Sequence, residues 1–457
     1  MRSQLPVLGF AVLSLVLAAT VPDLDSRLVA WLAEPELSVA SVSIVGALAV
    51  GSIPLSLMAQ AGLMRVLGLV RAGVYSPWSW AAIRIGLKTG LVDSANRWLS
   101  GSLYWPWWLR MAGMRIGRGC EISTIIDVVP ETVNVGAESF FADGIYFCGA
   151  ERRRGTVTVA ETVVGRETFL GNHAVLPAGV RWPDNLFVGV STVADAHHVR
   201  PDSAWFGHPP MELPRREVRT TDRRLTHKPG ALRFANRLIW ETLRFALPLV
   251  PLPIAWAWYW YIVSAPVGLT ARFLVVAPAV TFAAQAVLVL FTIALKWGLL
   301  GRVRPGQHPL WSCWCSRWDF VYVAWGYLAQ RSLAALEGTL LLNAALRLTG
   351  MRIGRRVVLG AGFSQVVDPD MIRIEDGATV TADFQAHTFE DRVLKIDRLR
   401  IGAVSTVGAH AVVFYGTDVG DRARVAPHSV VMKCESLAAD GHYAGCPTAP
   451  VGEGVKI

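Results

Sequence analysis

The chain has 457 residues, of which 53% are hydrophobic and only 17% charged, with 18 tryptophans and a net charge of +9. That length suits two or three domains, and the balance is too apolar for an ordinary soluble enzyme. No nucleic-acid-binding motif accompanies the positive charge, so it reads as attraction to a lipid membrane with anionic headgroups and not to nucleic acid.

In chain order, the first apolar run is Leu5–Pro22, 18 residues without a charge, and the second is Val39–Met64, with 26. A helix needs about 20 apolar residues to cross a bilayer. Arg2 and the small residues after the first run also fit a cleaved signal peptide, but a second span follows at once. Residues 1–72 are therefore expected to form a transmembrane hairpin. A Trp-rich amphipathic connector at 73–112 leads to a Gly- and Val-rich polar domain at 113–213, and a basic linker fills 214–241. A second hairpin at 242–300 holds the charge-free runs Phe245–Ala271 and Phe273–Leu295, with Arg272 expected to cap a tight turn between them. A connector at 301–350, a polar domain at 351–447 and a tail at 448–457 complete the chain.

The loop between the first two spans carries Asp23, Asp25, Glu34 and Glu36 against Arg27, whereas the segments after each hairpin are basic. By the positive-inside rule the four spans place both polar domains in the cytoplasm, at a multi-pass inner (cell) membrane. The six cysteines lack the spacing of a zinc knuckle and are expected to be free thiols.

The chain is internally duplicated. "GSLYWPWWLRMAGMRIGR" at 101–118 aligns without gaps on "GTLLLNAALRLTGMRIGR" at 338–355, and upstream "VYSPWSW" is matched to "PLWSCWC", with Trp78 on Trp314. A finer repeat runs through the polar domains. Positions 164, 170, 176, 182, 188 and 194 are Val, Leu, Leu, Trp, Val and Ala; positions 401, 407, 413, 419, 425 and 431 are Ile followed by five Val. A period of six fits neither a helix nor simple strand alternation. It predicts a solenoid of short parallel strands, three to a coil, with the aliphatic residues stacked inside and glycines serving tight turns or close backbone approach.

Hexapeptide repeats resemble those of the left-handed parallel β-helix acyltransferases, which use acyl thioesters. More narrowly, "MRIGRGCEIST", "GRETFLGNHAVLPAGV" and "SAWFGHPPMELPRRE" in the first copy, with "LRLTGMRIGRRV", "FQAHTFEDRVLK" and "HSVVMKCE" in the second, resemble the membrane-embedded C-terminal region of poly-ε-lysine synthetases and related non-ribosomal peptide synthetases. The resemblance implies that the solenoids are left-handed β-helices; with the duplication and the four apolar runs, a membrane protein with two left-handed β-helix domains and four transmembrane helices is expected. It also implies an acyltransferase forming amide bonds from carrier-bound aminoacyl thioesters to an amino acid or oligomer. The donor would be a phosphopantetheine thioester on a carrier protein or an acyl-CoA, with no bound cofactor. Those relatives carry three β-helix domains and six spans; here two and four are expected. The sequence shows no phosphopantetheine-type serine motif and no nucleotide-binding loop, so an adenylation or carrier protein is an expected partner, and the missing third domain makes an oligomer with related β-helix domains another. A coenzyme-A-dependent acyltransferase of a membrane-associated acceptor and a non-catalytic scaffold or export component are the competing readings.

Acyl transfer to an amine needs a base for the nucleophile's proton. Histidine suits that role, since an unperturbed imidazole titrates near neutrality, and His387 stands where the six-residue rhythm breaks after Ala386 and resumes at Ile401. Glu390 and Asp391, three and four residues on, are the expected acids to fix its tautomer, and Gln385 is expected to point the same way if the segment is extended. Arg392, Lys395 and Lys433 are candidates for substrate contact. In the first copy Phe147 falls opposite His387, so that domain lacks the base. His173 is expected to cap a turn, while Arg152, Arg153 and Arg154 offer a place for an acidic group. The scattered histidines, His197 and His198 among them, do not reproduce the ligand spacing of γ-class carbonic anhydrases, and no metal site is expected.

Overall fold

The computed structural model describes residues 39–213, 222–366, 368–390 and 392–452. The chain divides into two compact units, Met1–Arg219 and Thr220–Ile457. The expected first span, Leu5–Pro22, lies outside the described residues, as do residues 214–221 of the basic linker.

Three helical stretches are long and apolar enough to cross a membrane: Ser43–Val66, Arg223–Ser264 and Leu269–Leu299. The first belongs to helix α1, Val39–Val66, in unit 1. In unit 2, α3 (Pro251–Ser264) and α4 (Ala277–Leu299) are joined by a reversal at residues 265–268 and not at Arg272. Pro266 cannot donate a helical hydrogen bond, and Gly268 beside it weakens the helix further. Arg272 lies one turn into the next helix and donates from Nη2 to the Ala265 carbonyl at 2.9 Å, so it fastens the reversal from the far side.

The polar regions are parallel β-solenoids. In unit 1 Leu170 pairs with Val188, and in unit 2 Val407 pairs with Val425 and Val413 with Val431, each partner eighteen residues on. Three six-residue steps therefore close one coil. Every six-step residue is buried, from Val164 at 1% and Leu170 at 0% exposure to Val431 at 0%. In unit 1 this register also stacks Phe140, Phe169 and Phe187, with ring centroids 5.7 and 4.8 Å apart.

The glycines of the repeat regions serve both close backbone approach and left-handed turns. A Cβ on Gly117 would lie 2.4 Å from the Ala137 nitrogen, and one on Gly402 2.6 Å from that of Asp421. Left-handed turn positions are taken by Gly119, Gly144, Gly377 and Gly416, with φ between 70° and 74°, and by other residues, Glu138, Glu167, Arg422 and Asp440 among them, with φ between 54° and 59°.

Each solenoid is interrupted once by an antiparallel hairpin that a strand from upstream extends. In unit 1, β2 (Glu151–Arg153) pairs with β3 (Thr156–Val159), and β1 (Gly73–Tyr75) pairs with β3 on its other side. In unit 2, β5 (His387–Glu390) pairs with β6 (Val393–Ile396), and β4 (Gly306–Pro309) completes the sheet. A helix follows β1 and β4 in each unit: α2 (Trp80–Leu99), capped by Ser79, and α5 (Cys313–Leu328), capped by Ser312. The shared caps put Ser79 on Ser312 and hence Trp78 on Trp311, correcting the match of Trp78 to Trp314.

A buried ion pair supports the hairpin region of each unit. Lys296 Nζ, at the end of α4, donates to Asp370 Oδ2 at 2.6 Å, and that oxygen also accepts the Val303 amide at 3.2 Å. In unit 1 Lys88 and Glu131 take the same roles with the Val70 amide, but the lysine comes from α2. Removing one member leaves a charge buried without its counter-charge, so Asp370→Ala is expected to cost about 3–5 kcal/mol. Lys296→Met/Asp370→Leu should recover most of it. Thermal melts of the detergent-solubilised chain check this, and an Asp370→Ala variant melting with the wild type would contradict it.

Candidate active site in the second unit

The hairpin β5–β6 holds His387 where the repeat breaks, and α5 lies across the face it presents. Ser312 caps α5 by accepting the Cys315 amide at 3.1 Å. One turn on, Trp318 is buried at 4% exposure and places its ring edge-on to the His387 imidazole, with centroids 4.7 Å apart. Between them lies Asp368, 1% exposed, immediately before a short 3₁₀ turn at Pro369–Met371. Asp368 Oδ2 is 2.6 Å from His387 Nδ1, and Oδ1 accepts the Trp318 indole N–H at 2.8 Å.

Both carboxylate oxygens are thus engaged by fixed partners. A buried carboxylate is stabilised by such hydrogen bonds, and it holds the imidazole with its proton on Nδ1. The His387 side chain remains 25% exposed. Its Nε2 then carries a lone pair, the arrangement a general base requires. His308 on β4 stacks on Trp314 with centroids 3.8 Å apart. Burial pushes the His308 imidazole down, against the pull of the Asp368 carboxylate, and so favours its neutral form.

The acids expected beside His387 are placed differently. Glu390 is two residues along from Thr388 on the same face of β5, the face opposite His387. Its carboxylate is held by Lys395 and Lys433, with the Thr388 and Tyr415 hydroxyls each 3.3 Å away. Glu390 therefore does not orient His387; Asp368 does. Lys395, 5% exposed, is the buried counter-charge of Glu390 and is closed to substrate, while Lys433, 32% exposed, reaches the same carboxylate from the rim. Arg392 is buried at 3% in the hairpin turn, where its carbonyl accepts the Leu310 amide, so it too is withdrawn from an open surface. Gln385 ends the strand Thr379–Gln385, but its side chain and all of Asp391 lie outside the described residues.

Asp368 and Trp318 were not singled out in the sequence, although the duplication carries a signal for both. In unit 1 the residue before the matching Pro130–Thr132 turn is Val129, and the residue six beyond the Ser79 cap is Ile85. The hairpins match through Gly73 opposite Val159 and Gly306 opposite Ile396. Because His387 also faces Ile396, its counterpart is Ala150, the residue before β2, and not Phe147. Ile85, Val129 and Ala150 belong to one apolar cluster with Val157 and Val159. Unit 1 therefore fills with hydrocarbon the positions that hold Trp318, Asp368 and His387 in unit 2.

His173 takes a left-handed turn, φ 58°, on an exposed corner. His198 Nδ1 lies 2.7 Å from Asp195 Oδ2 on the surface, its side chain 67% exposed. Among the described residues no group of three or more His, Cys, Asp or Glu side chains comes together to hold a metal ion. None of the six cysteines is joined in a disulfide.

These features define a class: a parallel β-solenoid protein with helices of membrane length and a histidine–aspartate pair in one of two like-built units. No family model matches the chain. The chain is poly-amino-acid-synthetase-like in sequence: it is 30% identical over 387 residues to the delta-poly-L-ornithine synthetase of Acinetobacter baumannii, covering 81% of this chain and 28% of that one. It thus spans a little over a quarter of the length of that relative. Among solved structures, a hexapeptide-repeat acetyltransferase from Vibrio cholerae is 15% identical, with 37% of this chain and 91% of that one covered, at a TM-score of 0.18. The serine acetyltransferase of Brucella abortus is also 15% identical, covering 38% and 72%, at a TM-score of 0.18. Likenesses at those scores define neither fold nor activity.

Proposed function

We propose that this chain is an integral-membrane acyltransferase that forms amide bonds, with its chemistry in the second unit. The observation that carries this reading is the His387 Nδ1–Asp368 Oδ2 hydrogen bond at 2.6 Å, on a solenoid hairpin that leaves the imidazole partly open. The acceptor amine attacks the thioester carbonyl as His387 Nε2 takes its proton. The carbon–sulfur bond of the tetrahedral intermediate then breaks, and the imidazolium gives the proton to the departing thiolate. Asp368 stabilises the imidazolium between these steps.

The sequence relative, a synthetase of poly-L-ornithine, favours amino-acid units as both acyl donor and acceptor. The donor is an aminoacyl thioester delivered by a carrier or adenylation partner. The solenoids are left-handed coils on the cytoplasmic side of the inner membrane, held by the apolar helices. Unit 1 is a non-catalytic copy.

Membranes containing the chain, offered aminoacyl-carrier thioester or acyl-CoA separately with a panel of amino acids, test this by product mass. The expected product is an amide from the carrier thioester. Product from acyl-CoA alone would change the donor, and no amide from either donor would overturn the proposal.

A further inference from the structure

The hairpin that carries the base in unit 2 carries arginines in unit 1. Arg153, opposite Thr156, stands where Glu390, opposite Val393, stands in the other copy, and Thr158 stands at the place of Lys395. The second copy thus pairs its charges internally, whereas the first presents Arg152, Arg153 and Arg154 exposed. Among the described residues none of the three has a carboxylate partner within salt-bridge distance. Arg152 acts only at range on Asp127, whose carboxyl burial still holds above its usual level.

These arginines line a cleft of about 310 Å³ whose other wall is apolar, with Pro77, Ala82 and Ile83. The surroundings are apolar as well as basic. Trp78 is 94% and Trp80 65% exposed, and Val66, Leu69 and Val74, close by in the sequence, are exposed as well. Exposed tryptophans beside arginine are placed to best advantage at the level of lipid headgroups, where ring and charge are both accommodated. Chain connectivity supports the same level. The apolar helix α1 ends at Val66, β1 begins at Gly73, and β1 is hydrogen-bonded through β3 to the arginine strand β2.

We infer that this cleft binds the phosphate of an anionic lipid headgroup, with Arg153 and Arg154 on the phosphate and the exposed Pro77 and Ile83 against the lipid's apolar part. The inference rests on the membrane placement proposed above, not on the acyl-transfer chemistry. Guanidinium groups suit phosphate because their planar donors meet two oxygens at once.

The full chain in nanodiscs of mixed phosphatidylglycerol and phosphatidylcholine, released for native mass spectrometry, tests it through the lipids that stay bound. The wild type should retain phosphatidylglycerol in preference. Arg153→Glu/Arg154→Glu should lower that preference about tenfold or more, since each basic residue at an anionic surface contributes roughly a fivefold factor. Arg153→Lys/Arg154→Lys should keep most of it. Carbonate extraction in parallel separates the two ways to fail. Release of the chain by carbonate would remove the membrane placement and the inference with it. A chain that stays embedded, with equal phosphatidylglycerol retention in wild type and the glutamate variant, would overturn the inference alone. Binding of 4′-phosphopantetheine that only the wild type shows, with lipid retention unchanged, would overturn it in favour of a carrier arm.

Discussion

Replacing His387 by Ala is expected to lower acyl transfer by about 10²- to 10⁴-fold, the usual contribution of a positioned general base. Substrate binding should change far less, because the side chain acts on a proton that moves only as the new bond forms; the loss should fall on kcat more than on KM. The fold should survive. His387 is one-quarter exposed and lies on a hairpin edge, while the coil beneath it is held by Ala386, Ile396 and Ile401, all 3% exposed or less. Steady-state rates with the active donor check the prediction, with a thermal melt to confirm the fold. An unchanged rate in the folded variant would remove His387 from the chemistry.

Asp368→Asn is expected to cost about 10²- to 10⁴-fold as well, through the tautomer and without loss of shape. Trp318 decides why. Its indole N–H can only donate, so the amide oxygen of an asparagine must face it and the amide NH₂ must face His387 Nδ1. Nδ1 would then have to accept, the ring proton would move to Nε2, and the base would lose its lone pair. The same reasoning gives an unusual expectation. Trp318→Phe removes the donor that fixes the amide, so the double variant Asp368→Asn/Trp318→Phe can turn the amide over and should recover part of the lost rate. If Asp368→Asn works at the wild-type rate, the carboxylate does not set the tautomer.

The solenoid was legible because its backbone repeat is written directly into side-chain spacing. A residue every six places must return to the interior, and Val164, Leu170, Ile401 and Val413 all do. The position of His387 was legible for the same reason: a break in the rhythm marks a segment leaving the coil, and β5–β6 is that segment. Its partner was not. Nearness in sequence points to Glu390 and Asp391, but strand alternation turns Glu390 away and into contact with Lys395 and Lys433. The orienting carboxylate comes from a turn nineteen residues earlier, and its second hydrogen bond comes from a helix outside the repeat. Neither spacing has a local signature. The internal copy would have supplied one, since Val129 and Ile85 stand where Asp368 and Trp318 stand, but only after the caps and turns fix the register. The misplacement of Phe147 opposite His387 has the same origin, because the hairpin is anchored by Gly73 and Gly306 across the sheet and not by the preceding strand.

The most direct measurement is the acyl-transfer rate of four forms of the full chain side by side: wild type, His387→Ala, Asp368→Asn and the double variant His387→Ala/Asp368→Asn. If Asp368 acts through His387, the double variant is no slower than His387→Ala alone, because removing the base leaves nothing for the carboxylate to orient. A double variant slowed by the product of the two single losses would show two independent contributions and contradict a single histidine–aspartate device.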